Sequence, residues 1–340
     1  MTTTSFRRTA LVAWVFQALI VLSGAAVRLT EAGLGCEDWP TCNEDRLTPE
    51  WELHGWIEFG NRLISLVVTF SAIAVVIAAR RRQPRRGDVV TLAWLLAAGT
   101  AAQVVLGGIT VLLDLNPVAV SGHFLLSMVL LVVAHLIWRR ADPDGPAVAG
   151  HENDETTRLL LRAQLPLAGL VLFTGTLVTG SGPNSGDARA DRLGLDLTEV
   201  ARVHSISVWL FMACVVGLGL KLRSQLGNEA GDPRTHRWPI LRLLALAGVA
   251  QGIVGYTQFA LGVPASLVEL HVAGAVVVWM LAVALHLRSF DRPEPGPTGP
   301  TAQFDGPTIT ETDETGPDAD AGPDPGGDNA GLVSEGGPRT

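Results

Sequence analysis

Gln103–His123 reads QVVLGGITVLLDLNPVAVSGH, and Gln251–His271 reads QGIVGYTQFALGVPASLVELH. The stretches begin 148 positions apart and run in step: a Gln, a Gly four residues on (Gly107, Gly255), an apolar helix end, a Pro-containing turn (Pro117, Pro264) and a His entering the next apolar run. Five of the 21 positions are identical, which apolar composition alone could nearly supply. The weight rests on the matched Gln, Gly and His, because polar residues are rare in such runs and rarely fall in register by accident. The pair marks a duplicated unit.

Outward from these two hairpins, apolar runs of the length a helix needs to cross a bilayer recur along the whole chain. Eight spans are expected, near Thr9–Leu29, Trp56–Ala79, Val89–Leu113, Val118–Trp138, Leu159–Thr179, Val200–Leu222, Ile240–Leu261 and Leu267–Leu287. Hydrophobic residues make up 48% of the chain and mean hydropathy is +0.32, which places it among integral membrane proteins. The fold class is all-α. Four spans per half is an even number, so the halves share one orientation and form a parallel repeat of two four-helix bundles. The expected division is 1–140, a cytoplasmic linker 141–158, a second bundle 159–290 and a tail 291–340.

The formal charge of -8 belongs to the tail, where 11 Asp and Glu face only Arg292 and Arg339. Rich in Gly, Pro and Asp, that tail cannot bury enough apolar surface to offset its ordering entropy, and disorder is expected. Basic residues set the orientation. Arg7 and Arg8, Arg80–Arg82, Arg85, Arg86, Arg139, Arg140, Arg158, Arg162, Lys221, Arg223, Arg234, Arg237, Arg288 and Arg292 all fall on one side, which puts both termini in the cytoplasm. The first span is read as a retained helix rather than a signal peptide, since its end, GAAVRLT, pairs with GTLVTGS at the end of the fifth.

Polar residues inside the spans carry the chemistry. The second span opens LHGWIEFGNRLIS, in which His54, Glu58, Asn61 and Ser65 share one helical face, with Arg62 beside them. A carboxylate a turn inside the bilayer boundary is costly and marks a functional position, or else an ion pair with Arg62. His123 enters the fourth span, and His204 and His271 enter the sixth and eighth from the same side. Two imidazoles on separate helices of one bundle can face each other across a planar iron porphyrin as axial ligands, or else hydrogen-bond as a structural pair. Only Glu269 stands near them, which argues against a closed zinc site. By the repeat, Asn61 stands opposite His123 where a second His would be expected.

Cys36 and Cys42 lie in an outer loop, GLGCEDWPTC, where a disulfide persists; a structural bridge and a redox pair both suit the spacing. Cys214 reads as a packing residue. Arg28, Arg62 and Arg202 suit either porphyrin propionates or snorkelling, and Gln103 and Gln251 suit hydrogen bonds between helices.

AAVRLTEAGLGCEDWPTC, HGWIEFGNR, QVVLGG with SGH, GTLVTGSGP with a following GD, and VARVH with ELH stand here in an order and topology that resembles haem A synthase. The resemblance covers about residues 9 to 288. It implies an oxidoreductase of the bacterial plasma membrane that oxidises the C8 methyl of haem O to a formyl group, in successive hydroxylations, for cytochrome oxidase assembly. Carried onto this sequence, it makes His204 and His271 the ligands of a haem b cofactor and its iron, and His123 a first-half ligand of the substrate haem. It makes Glu58 the catalytic carboxylate, puts Asn61 and Arg62 beside the substrate, and makes Cys36 and Cys42 the outer-loop pair. Asn61 departs from the pattern, which there has His; either His123 is the lone strong ligand, or His54 replaces the missing one. Implied partners are membrane lipid and haem O synthase, the protohaem farnesyltransferase; no nucleic acid is expected, and a homo-oligomer is allowed. The rivals are a non-enzymatic dihaem cytochrome, which Asn61 disfavours, and a transporter, for which the apolar inner halves of the spans offer no polar path.

Overall fold

The computed structural model describes residues 1–43, 46–142, 154–225 and 237–290. The expected tail, most of the linker, His151 and His236 lie outside the described residues. Eight helices follow in order: α1 Thr3–Leu29, α2 Leu53–Arg81, α3 Gly87–Leu112, α4 Pro117–Arg140, α5 Glu155–Ser181, α6 Leu197–Gln225, α7 Trp238–Ala260 and α8 Ala265–Phe290. All eight are long and apolar enough to cross a membrane. In lipid every backbone N–H and C=O must be paired within its own segment, so apolar runs of this length become helices. Most helices overrun the expected spans because capping extends them beyond the apolar run. The Thr2 hydroxyl caps α1, Asp154 caps α5 and Asn116 caps α4, with Pro117 at its first turn.

Within residues 1–140, α1 packs on α2 and α4, α2 on α3, and α3 on α4; α5 to α8 repeat that pattern. Between the halves α1 meets α8, α4 meets α5, and α4 meets α8, the pairing a two-fold relation along the bundle axis produces. Each half is most tightly packed toward the end that carries its arginines. Phe6, Ala10, Ala13, Val75, Ala93, Leu96 and Ala134 form the first core, and Leu161, Phe211, Leu218, Leu244 and Leu285 belong to the second. The alanines let helix backbones approach, which is how helices associate where lipid is as apolar as their side chains. Val21, Met128, Leu131, Leu172 and Val276 join the halves.

Toward the other end, the hairpin end, packing thins. The buried residues of α7 stop at Gly248, and those of α8 begin only at Val276. The two hairpins there share one geometry. Leu115 (φ 59) and Val263 (φ 63) are both left-handed, and each donates its N–H back to the helix it leaves, to Thr110 O at 2.8 Å and Gln258 O at 2.7 Å. This register corrects one detail of the expected repeat: Pro117 matches Ala265, and Pro264 matches Asn116. A proline serves either position because the first turn of a helix needs no N–H donor from it.

Candidate functional site

His123 and His271 each stand six residues into a helix that starts at a matched turn, about 9 Å along the axis from it. Each ring lies against a glycine of the preceding helix. A Cβ on Gly107 would come 3.2 Å from His123 Cε1, and one on Gly255 would come 3.2 Å from His271 Cε1. No larger residue than glycine leaves both rings where they are. Gln103 joins α3 to α4, donating to His123 O at 2.8 Å and Ser127 Oγ at 2.6 Å. In the second half Gln251 lies directly against Gly274 instead.

Across the second half, α6 brings His204 to His271, with ring centroids 6.4 Å apart and planes at 78°. The Thr174 hydroxyl lies 3.1 Å from His204 Nδ1 and 2.9 Å from Ser207 Oγ, so His204 has its Nδ1 fixed and its Nε2 left for another partner. A Cβ on Gly175 would lie 3.3 Å from His204 Cε1, and His271 Nδ1 is buried with no hydrogen-bond partner. Two imidazoles bonded to one metal ion from opposite sides, at roughly 2 Å per metal–nitrogen bond, have centroids about 6 Å apart. Among the described residues no group of three or more His, Cys, Asp or Glu is placed to hold a metal alone. An iron between these rings would draw its other ligands from a macrocycle, and glycine-flanked rings suit a flat one.

In the first half, the position matching His204 is Asn61, and its hydroxyl partner is matched too: Ser23 Oγ donates to Asn61 Oδ1 at 2.8 Å. One turn toward the hairpin end, Glu58 is 5% exposed, the only buried carboxylate among the described residues. Its Oε2 accepts from Cys36 N–H at 2.8 Å and its Oε1 from Arg62 Nη2 at 2.7 Å. Arg62 also donates to Thr41 O at 2.8 Å and Cys36 O at 3.3 Å. Cys36 and Cys42 form a disulfide, so a closed ring of seven residues is held on the Glu58–Arg62 pair. The loop is seated further by Trp39, whose ring leaves no room for a Cβ on Gly108.

His54 is exposed and lines a pocket at the rim of the hairpin end with Glu31, Glu37, Asp187 and Arg189; it does not join the Asn61 face. Arg28 donates to Asn184 O at 2.7 Å and Thr179 O at 2.9 Å, tying the end of α1 to the loop after α5. Arg202 pairs with Glu199 at the surface. Arg189 reaches Glu37 at 2.8 Å and Asp187 at 3.1 Å. Asp187 lies below the usual carboxylate range: burial opposes its charge, but the backbone N–H and guanidinium of Arg189 outweigh burial. Cys214 is buried and free. Sequence reasoning missed Ser23 and Thr174, although each stands one residue before the paired segments GAAVRLT and GTLVTGS.

Residues 7–53 and 48–184, together more than half of the chain, match the model of a family described as cytochrome oxidase assembly protein. Among curated proteins, a Heme A synthase of Geobacillus thermodenitrificans is 34% identical over 128 residues, 36% of this chain and 39% of the relative. A Heme A synthase of Lysinibacillus sphaericus is 28% identical over 177 residues, 50% of this chain and 56% of the relative. The matched regions thus span from about two fifths to somewhat over half of those relatives' length.

Proposed function

Because the chain belongs to the cytochrome oxidase assembly protein family, we propose that it is a haem A synthase, oxidising the C8 methyl of haem O to a formyl group. The observation that carries this reading is the pair of half-sites on one repeated scaffold, bis-imidazole in the second half and imidazole, amide and carboxylate in the first. The second half (159–290) would hold haem b through His204 and His271. The first (1–140) would receive haem O at His123, beside Asn61, Glu58 and Arg62.

When bound, the haem b supplies one-electron transfer. The protein's own part is positional. Thr174 fixes His204 Nδ1 and so aims Nε2 inward. Arg62 and the Cys36 amide hold the Glu58 carboxyl group in one orientation. Each carboxyl oxygen has two lone pairs, so Oε2, which accepts from the Cys36 amide, keeps capacity to orient a water or exchange a proton with a hydroxyl at the reacting carbon. Seating the disulfide ring over Glu58 shields that carboxylate on its outer side. The arginine-rich ends support a reading in which both termini lie on the cytoplasmic side of a bacterial plasma membrane, with haem O arriving from the farnesyltransferase that makes it.

The test is expression in a bacterial host that makes haem O but no haem A, followed by haem extraction and chromatography. A haem A or hydroxylated haem O peak, absent from the empty-vector control, is expected. Haem B or O alone, with a bis-His spectrum and no conversion even with a supplied electron acceptor, would favour the dihaem cytochrome.

A further inference from the structure

The two halves can be compared residue by residue at their hairpin ends, and Asn61 stands where the second half has His204. His123 sits on Gly107 as His271 sits on Gly255, each at 3.2 Å to a constructed Cβ. Ser23 bonds Asn61 as Thr174 bonds His204. The hydroxyl in each case stands one residue before a glycine, Gly24 or Gly175. Over Gly175 the His204 ring fills the space, whereas a Cβ on Gly24 would meet nothing within 4 Å. The asparagine side chain stops short of where the imidazole reaches.

Among the described residues no neighbour makes up the difference. His54 is exposed at the rim of the hairpin end. Glu58 is engaged by Arg62 and the Cys36 amide. Ser65 Oγ is turned to its own helix, donating to Asn61 O at 3.0 Å. An amide is a weak ligand for iron beside an imidazole, and its strength is as a hydrogen-bonding group.

We propose that Asn61 makes the first half a one-imidazole site: His123 is the lone axial side chain toward a porphyrin iron, and the opposite position, lined by the Asn61 amide, takes a small neutral ligand such as a diatomic gas or water. Ser23 is the positioning residue that fixes the amide. This rests on the reading above that the first half receives an iron porphyrin, and the haem count separates the two.

The purified full chain is titrated to saturation with iron protoporphyrin IX, haem per chain is determined, and the ferrous protein is exposed to carbon monoxide. Two haems per chain are expected, one low-spin and indifferent to carbon monoxide, the other binding it. Asn61→His should leave the haem count unchanged, abolish carbon monoxide binding and add a second low-spin ferric signal by electron paramagnetic resonance, its Nδ1 taken by Ser23. His54→Ala should change neither signal. Two haems per chain with no carbon monoxide binding in the wild type overturns the inference while the first-half porphyrin reading stands. So does carbon monoxide binding gained only in His54→Ala. A single, carbon monoxide-indifferent haem at saturation overturns both. If Asn61→His fails to fold, seen as loss of the His204/His271 spectrum, the wild-type titration decides alone.

Discussion

The two halves place the same backbone turns, the same glycine contact beneath His123 and His271, and a hydroxyl at the same register beneath different polar groups. In the second half the hydroxyl braces an imidazole that faces another imidazole 6.4 Å away, with no ion pair to either ring among the described residues. In the first half it braces an amide, with a buried carboxylate one turn on, clamped by an arginine and roofed by a disulfide ring. The lesson is that the scaffold fixes depth and spacing, and a few substitutions on it separate a site suited to holding a group permanently from one suited to acting on it.

The contrast breaks most sharply at Glu58. Glu58→Gln keeps the shape and the Arg62 contact but removes the charge. Conversion of haem O should fall about 10²–10⁴-fold, the usual worth of a positioned proton acceptor, with the low-spin spectrum of the second half unchanged. Conversion at the wild-type rate would make Glu58 an anchor for the loop and nothing more. Next in size is the matched pair of ligand removals. His271→Ala should abolish the low-spin spectrum, whereas His123→Ala should leave it intact and lose only the second equivalent of haem; equal spectral loss in both would mean the halves are not specialised.

A smaller effect is expected from opening the disulfide. Closing a ring this short contributes about 2 kcal/mol by chain entropy, so Cys36→Ser with Cys42→Ser should lower the melting temperature by several degrees. Conversion should fall too, because the Cys36 amide is then less firmly held against Glu58; unchanged conversion would show that Arg62 alone orients the carboxylate. The smallest change sharpens the comparison rather than breaking it. Gly107→Ala and Gly255→Ala trade a helix-propensity gain of about 1 kcal/mol against pushing a ring by a few tenths of an ångström. Stability should move little in either, while Gly255→Ala alone should shift the low-spin spectrum.

The eight helices are legible in the sequence because lipid leaves an apolar run of such length only one conformation. Gln103, Gly107 and His123 stand out against that apolar background, which is why the repeat could be read from so few identities. Ser23 and Thr174 do not stand out. A hydroxyl in an apolar helix ordinarily returns its proton to its own backbone, as Thr174 also does to Leu170 O at 2.9 Å, so spacing gives no sign that it reaches across to another helix. The partners of Glu58 are half hidden for a different reason. Arg62 is visible four residues on, but the Cys36 donor is a backbone N–H, which every residue except proline carries. Face-sharing placed His54 with Glu58, Asn61 and Ser65; at the first turn of α2 the helix has already emerged beside the rim loops, and its side chain goes with them.

Arg28 finds its acceptors 151 and 156 residues further along the chain, and Glu37 meets Arg189 at a separation of 152. During synthesis the first four helices leave the ribosome well before any of these partners exists. The ring that closes over Glu58 therefore gains its lateral anchors only after the fifth helix and its trailing loop have been made. A nascent chain halted between the halves would carry its acidic residue under a loop seated by Arg62 and Trp39 but still lacking the Arg189 anchor.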